Sequence, residues 1–487
     1  MPKATNRAPA KTTKWWHNPS LIFLMLGAIF GITFVTINPP GFGLDERAHF
    51  LRAYELSQGH FLTTRTGVDQ HIGARIPANI GQWVHDSTIN LLSVNTSASL
   101  SNRHDADTKL YTKYYHQRLS KETVDDFATN QQLAGTFNYS PLSYLPLAAP
   151  VWAGIKLHMN FMSILYLARI TNLLLYLLVV YIAIRIAPRF KWLIFIVALL
   201  PTAVFQASSV SIDPIINSLS FLLLALFLLI WQQAPKPISL RQAFITLSIL
   251  GFLAISKQPY ALFGLMFLAL PRAAFANKKS EIAYKLTWAS TPLLLAIIWS
   301  VLDRNTIKQL STEYLQANVS TVQQIKFIIH GPLSFAAVIA RTYYEKSGAF
   351  LATMIGAIGD RSVGLSNLIL VPAAALLMGL GVIHPSSDIA PPRRKRWTAA
   401  WLLVVALGVI GAITAALYIG ASNVAARVVY GIQGRYFIPV LPFIGVAVSI
   451  LLRERVRVSR ALIENTMIAG SSLLLLGTTI FYYIVNY

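Results

Sequence analysis

The sequence predicts an all-α polytopic integral membrane protein: about eleven transmembrane helices, with a large first extracytoplasmic loop containing juxtamembrane helices. Three observations predict it. Hydrophobic residues make up 55% of the 487 and charged residues only 12%, where a soluble domain carries about 25% charged. Mean hydropathy is +0.54. The apolar residues also gather into runs long enough, or nearly so, to cross about 30 Å of hydrocarbon as helices. An ordinary soluble enzyme and a disordered chain are both excluded. Lys and Arg number 41 against 19 Asp and Glu, a net charge of +22. In a soluble chain that excess would suggest nucleic acid; between apolar runs it reads as basic cytoplasmic loops, with the lipid bilayer as partner and no nucleic acid. The chain has no cysteine, so disulfides, thiolate nucleophiles and Cys-ligated zinc are excluded.

The first run, Leu21 to Ile37, follows Lys3, Arg7, Lys11 and Lys14. Thr36-Ile37-Asn38-Pro39-Pro40 offers no small-residue cleavage pattern, so it reads as an uncleaved span entering from the cytoplasm. Further runs lie near 162–184, 192–210, 214–232, 240–256, 258–275, 285–302, 363–384, 397–420, 436–452 and 461–484. Arg185/Arg189/Lys191, Lys236/Arg241, Arg272/Lys278/Lys279, Arg393–Arg396 and Arg453/Arg455/Arg457/Arg460 all fall on the side of the N-terminus if Pro141–Lys156 is a juxtamembrane or re-entrant helix rather than a crossing. The chain then divides into a basic cytoplasmic N-terminus (1–19), a first transmembrane helix (20–37) and an extracytoplasmic loop (38–157). Helices two to seven (162–302), a second outer segment (303–362) and helices eight to eleven (363–487) follow. The outer segments are too long to be mere connectors.

Candidate chemistry sits where runs meet the outer surface. After Pro39-Pro40-Gly41 closes the first span, a helix is expected from about Leu44 to a cap at Gly59. On it Asp45, His49 and Arg52 are spaced i, i+4, i+7 and share a face. A carboxylate there can act as a base and a guanidinium can hold a phosphate, although acids also favour a first helical turn for its dipole alone. Asp213-Pro214 opens the fourth span as an ordinary capped start, yet it puts a second carboxylate in the same compartment. Arg169, Lys257 and Arg435 each lie where a span meets the outer rim. Snorkelling explains each singly. Together, three cations beside two carboxylates suit a lipid-linked anion, with cations on its phosphate and a carboxylate on a hydroxyl. No phosphate loop, zinc-protease helix or nucleophile elbow occurs. No segment reads as a nucleotide-binding domain, which argues for a donor already carried on a lipid.

The run Asn38-Pro39-Pro40…Asp45-Glu46-x-x-His49-x-x-Arg52-Ala53-Tyr54…Gly59 resembles the signature of a bacterial polytopic membrane family, domain of unknown function 2142 (DUF2142). So do Ser211-Ile212-Asp213-x-x-x-Asn217, Lys257-x-x-Tyr260 and Gly431-Ile432-Gln433-Gly434-Arg435-Tyr436-Phe437-Ile438-Pro439, in the same order; Ile355–Asp360 fits loosely. That family resembles the GT-C superfamily of membrane glycosyltransferases. The resemblance implies a bacterial cytoplasmic membrane location, an extracytoplasmic site and a sugar donor on a polyprenyl-phosphate carrier. It maps catalytic acids onto Asp45, Glu46 and Asp213, and donor-phosphate cations onto Arg169, Lys257 and Arg435. The matching motifs offer His49, Arg52, Asn217, Gln433 and Tyr436 as acceptor-binding or orienting groups.

The expected activity is transfer of a sugar to a cell-envelope glycan or lipid-linked acceptor. No cofactor is called for with certainty. Mg²⁺ or Mn²⁺ bridging Asp45, Asp213 and phosphate would suit hard oxygen ligands, and the need for one stays open. The alternatives are a glycan ligase or polymerase, a flippase or transporter, and a noncatalytic scaffold.

Overall fold

The computed structural model describes residues 18–62, 64–66, 71–73, 75–94, 109, 112–125, 136, 139–304, 319–356, 358–359, 364–384, 395–452 and 459–487. The basic N-terminal tail, the Arg453/Arg455/Arg457 cluster, Arg393-Arg394 and Asp360 lie outside the described residues. The described chain is a helical bundle with two small antiparallel strand pairs, Thr64–Thr66 with His71–Gly73 and Arg75–Pro77 with Thr123–Asp125.

Among the described residues seven helices are long and apolar enough to cross a membrane: Pro19–Ile37, Phe161–Ile186, Asp213–Gln233, Lys278–Leu302, Arg396–Ala421, Gly434–Leu451 and Arg460–Asn486. Leu240–Ser256, Gln258–Ala269 and Asn367–Ile383 are shorter apolar helices. The first helix begins on Asn18, whose side chain accepts the Ser20 N–H, with Pro19 in the first turn where its missing N–H costs nothing. Gly27 and Gly31 let it lie directly on Leu177 and Leu173 of Phe161–Ile186; a Cβ at either glycine would come within 2.6 Å of those leucines.

Two expected runs and one expected outer segment take other forms. The run 192–210 is two short buried helices, Lys191–Ala198 and Pro201–Ala207. Pro201 has no N–H and drives Leu200 out of helical geometry, to ψ 132°. The run 258–275 becomes a twelve-residue 3₁₀ helix, Gln258–Ala269, opened by Pro259; 3₁₀ runs of that length are uncommon. Gly264 there lies so close to the Trp288 carbonyl that a Cβ would sit 2.1 Å from its oxygen. Within 303–362, helices Thr321–His330 and Pro332–Ile355 meet at 106° across Gly331-Pro332, and would add one span if counted as a bent pair.

Pro141–Lys156, with Pro146 and Pro150 inside it, packs against Glu46–Ser57 and Phe161–Ile186. Phe50, Trp83 and Phe161 pack edge-to-face with centroids 5.1–5.8 Å apart, and seat the first long loop on the bundle. Tyr482, near the end of the last helix, donates to Asn38 Oδ1 at 2.9 Å. The exit of the first helix, the 209–213 turn, the 256–258 turn and the 433–436 turn therefore meet at one end of the bundle.

Candidate functional site

Two ion-pair systems lie side by side at that end. In the first, Glu46 and Arg169 are both wholly buried and paired at 2.6 Å. Glu46 accepts from the backbone N–H groups of Gly41, Gly43 and Val210 at 3.0–3.3 Å, and from Arg169 Nε and Nη2. Arg169 also donates to the carbonyls of Val35, Asn38 and Pro39. Its five N–H donors are thereby all used, which is the full complement of a guanidinium. This pair ties the 38–46 loop to the 209–213 turn. The sequence placed Glu46 among the catalytic acids and Arg169 among the phosphate-binding cations. The geometry corrects both: neither has a lone pair or donor free, nor any surface open to a ligand.

In the second system Asp45 contacts the Arg435 guanidinium, and Asp213 Oδ1 accepts from Lys257 Nζ at 2.5 Å. Arg435 Nε lies 3.9 Å from Asp213 Oδ2, which also accepts from Gln206 Nε2 at 2.9 Å. Lys257 Nζ lies over the rings of Tyr436 and Tyr139, 4.7 and 5.5 Å from their centroids, a favourable place for a cation. Tyr260 donates to the Tyr436 carbonyl at 2.9 Å. So Asp45, Asp213, Lys257, Arg435 and Tyr436, drawn from four separate stretches of chain, meet in one place.

The second system is not saturated. Arg435 is 3% exposed, yet its Nε and Nη1 have no hydrogen-bond partner among the described residues. The same holds for Asn217 Nδ2, one helical turn beyond Asp213, and for Gln206 Oε1. The Asp45 side chain is 51% exposed, while that of Asp213 is only 11% exposed. Asp45 does not begin the helix as its first turn. It sits just before Glu46–Ser57 in the left-handed region, φ 55°, and its side chain makes no cap bond. Asp tolerates that backbone better than most residues, and the carboxylate reaches Arg435. Desolvation would push its acidity down, but the Arg435 guanidinium and the His49 ring together hold the carboxyl below the usual carboxylate range.

His49 is buried on the same helix. Its Nδ1 lies 2.7 Å from the Tyr144 hydroxyl and its ring stacks on Tyr139. Burial lowers its pKa to about 4 against the pull of Asp213 and Asp45, so the imidazole is neutral near pH 7. Arg52 does not join the shared face expected from its spacing: it pairs with Glu55 at 2.8 Å and donates to the Phe61 carbonyl. Gln433 contributes its carbonyl to the Tyr436 N–H at 3.1 Å rather than a side-chain bond to the cluster. Gln206, Tyr139 and Tyr144 were not singled out from sequence. No local spacing relates the tyrosines to Asp45, and only the docking of Pro141–Lys156 brings them in. Among the described residues no group of three or more His, Asp or Glu side chains is placed to hold a metal; Asp45 and Asp213 each have a cation as partner.

The fold and this cluster define an α-helical polytopic membrane protein with a polar, ion-paired site at one end of its bundle. Residues 28–444 match the model of the family described as predicted membrane protein (DUF2142). The chain belongs to that family. No curated protein and no solved structure matches it.

Proposed function

We propose that the protein is a GT-C-type glycosyltransferase of a bacterial cytoplasmic membrane, working on its outer face. It moves a sugar from a polyprenyl-phosphate carrier to a cell-envelope glycan or lipid-linked acceptor. The observation that carries this is the contrast within one ion pair: a half-exposed carboxylate, Asp45, against a buried guanidinium, Arg435, two of whose nitrogens, Nε and Nη1, have no hydrogen-bond partner among the described residues. Asp45 takes the proton of the acceptor hydroxyl. The hydroxyl oxygen forms a bond to the anomeric carbon, and the bond from that carbon to the phosphate oxygen breaks with its electron pair left on the phosphate. Arg435, with Lys257 behind it, faces the charge that develops there. Asp213 holds Lys257, and neutral His49, Asn217 and Tyr436 offer polar contacts to the sugar or acceptor. Arg169 and Glu46 take no part in this chemistry; they hold the loop that carries Asp45.

The test is sugar and linkage analysis of envelope glycans from wild-type, deletion and Asp45→Asn strains. Loss of one defined residue or branch in both altered strains supports the transferase, and the missing sugar names its donor. A glycan altered by deletion but normal in Asp45→Asn removes the base assignment. Loss of joined chains rather than a single residue moves the activity to a ligase.

A further inference from the structure

Three side chains from the 303–362 segment hold the arm of chain that ends at Arg435. Gln324 is buried; its Nε2 donates to the carbonyls of Tyr418 and Asn423, and its Oε1 accepts the Ala425 N–H. Thr342 Oγ1 accepts the Val429 N–H and Thr353 Oγ1 the Gly434 N–H, both at 2.9 Å. Gln324 belongs to Thr321–His330 and the two threonines to Pro332–Ile355. Contacts keep both helices at the cluster's end of the bundle. Phe335 packs on Tyr418, close to the end of Arg396–Ala421, with ring centroids 5.1 Å apart, and Thr353 reaches the 433–436 turn. Pro332–Ile355 has 24 residues and is about 36 Å long, yet neither of its ends leaves that surface. Its half-exposed Arg341 and Glu345, 4.0 Å apart near its middle, would also be costly in hydrocarbon.

Thr321–His330 divides into three faces. At about 100° per residue, Gln324, Phe327 and Ile328 share one face, which packs on the rest of the protein. Val322, Ile325 and Ile329 share a second and are exposed. Gln323, Lys326 and His330 share a third, also exposed. A helix with a protein face, an apolar face and a polar face suits the line where protein, hydrocarbon and water meet. The helix docks at the end of Arg396–Ala421, itself apolar enough to cross a membrane, and its apolar edge continues past the 106° bend to exposed Leu333. We propose that Thr321–His330 lies in the plane of the bilayer surface at the cluster's end, with Val322, Ile325 and Ile329 in the acyl boundary. Pro332–Ile355 then runs across that end rather than through the membrane. From this seat the segment braces residues 425, 429 and 434, so that lipid contact helps fix the arm presenting Arg435. An edge of three side chains is too narrow for a second copy of the chain, since a stable interface buries about 800 Å² per partner. This placement stands whatever ligand Arg435 meets.

The chain has no cysteine, so a single nitroxide label can be attached at Val322→Cys, Ile325→Cys, Ile329→Cys, Gln323→Cys or Lys326→Cys with no other change. In lipid nanodiscs, labels at 322, 325 and 329 are expected to collide with oxygen and lose collisions with a water-soluble nickel chelate. Labels at 323 and 326 are expected to do the reverse. Equal nickel collisions at all five positions overturn the seat in the bilayer. Spin–spin broadening confined to 322, 325 and 329 places a second copy on this edge and overturns the bilayer as its occupant. The brace is read as the rate of trypsin cleavage after Arg427, exposed on the arm, followed by mass spectrometry, with thermal unfolding as the control for folding. Gln324→Ala removes three hydrogen bonds and is expected to speed that cleavage about tenfold or more. Ile325→Asp and, independently, Ile329→Asp are expected to speed it in nanodiscs, because a charge draws the edge out of the acyl boundary. Unchanged cleavage in folded Gln324→Ala overturns the brace. Cleavage raised by Gln324→Ala but by neither aspartate substitution overturns the link between lipid contact and the arm.

Discussion

Asp45 and Glu46 are neighbours in sequence, and both meet an arginine, but the two pairs are built for different ends. Glu46–Arg169 has no exposed surface and no unused donor, and each partner is also held by backbone groups from separate segments. Asp45–Arg435 joins a half-exposed acid to a guanidinium whose Nε and Nη1 have no hydrogen-bond partner among the described residues. A saturated buried pair can only be broken at a cost. The first holds the 38–46 loop, and on the proposed function the second is the pair that meets a ligand. That one peptide bond separates the two acids is the point. Glu46 enters the helix and turns inward, while Asp45, left-handed and uncapped, turns to Arg435.

The comparison breaks if the two acids fail in the same way. Asp45→Asn should lower transfer by about 10²–10⁴-fold, the usual worth of a general base, with the unfolding temperature unchanged; a comparable fall in stability would make Asp45 scaffold too. Arg169→Ala should do the reverse. It leaves Glu46 buried without its counter-charge, which costs about 3–5 kcal/mol, read as lost thermal stability and yield of the membrane-extracted protein. An Arg169→Ala protein as stable as wild type would dissolve the scaffold assignment.

His49 sharpens the comparison from the side of the second system. Asp45, Asp213, Lys257 and Arg435 face it across the cluster, and Tyr144 and Tyr139 contact its ring. An unfolded imidazole titrates at 6.5 and this one at about 4, so protons favour the unfolded chain as the pH falls. Stability present above pH 6.5 should drain away as pH falls to about 4, by about 3 kcal/mol. Thermal unfolding across that range should show the slope, and His49→Gln should flatten it. The smallest effect is expected at Tyr482→Phe, which removes the hydroxyl bonded to Asn38 Oδ1. It should cost about 1 kcal/mol and leave transfer unchanged, because that bond supports the loop without touching the cluster.

Much of the cluster was legible before the fold. Asp45, Asp213, Lys257 and Arg435 stand out because ionisable residues at the ends of apolar runs are expensive and need partners. Arg169 met the same criterion and was placed among the phosphate-binding cations for that reason; the criterion finds partnered charges without saying who the partner is. The same limit misplaced Arg52, whose i, i+7 spacing from Asp45 assumes that Asp45 is helical, and it is not. Proline-broken runs were legible as apolar but not as broken. Pro201 and Pro259 have local effects whose outcome, two short helices in one case and a 3₁₀ helix in the other, depends on what packs alongside.

Composition and periodicity by themselves determined that this chain is a polytopic helical membrane protein, because transfer from water to lipid is a sum over residues and needs no partner to be known. They also determined which few charges would sit at helix ends. Only the tertiary structure decided how those charges pair, since a pair is a distance between segments up to 390 positions apart. It alone separates a guanidinium with every donor used from one whose Nε and Nη1 have no partner among the described residues.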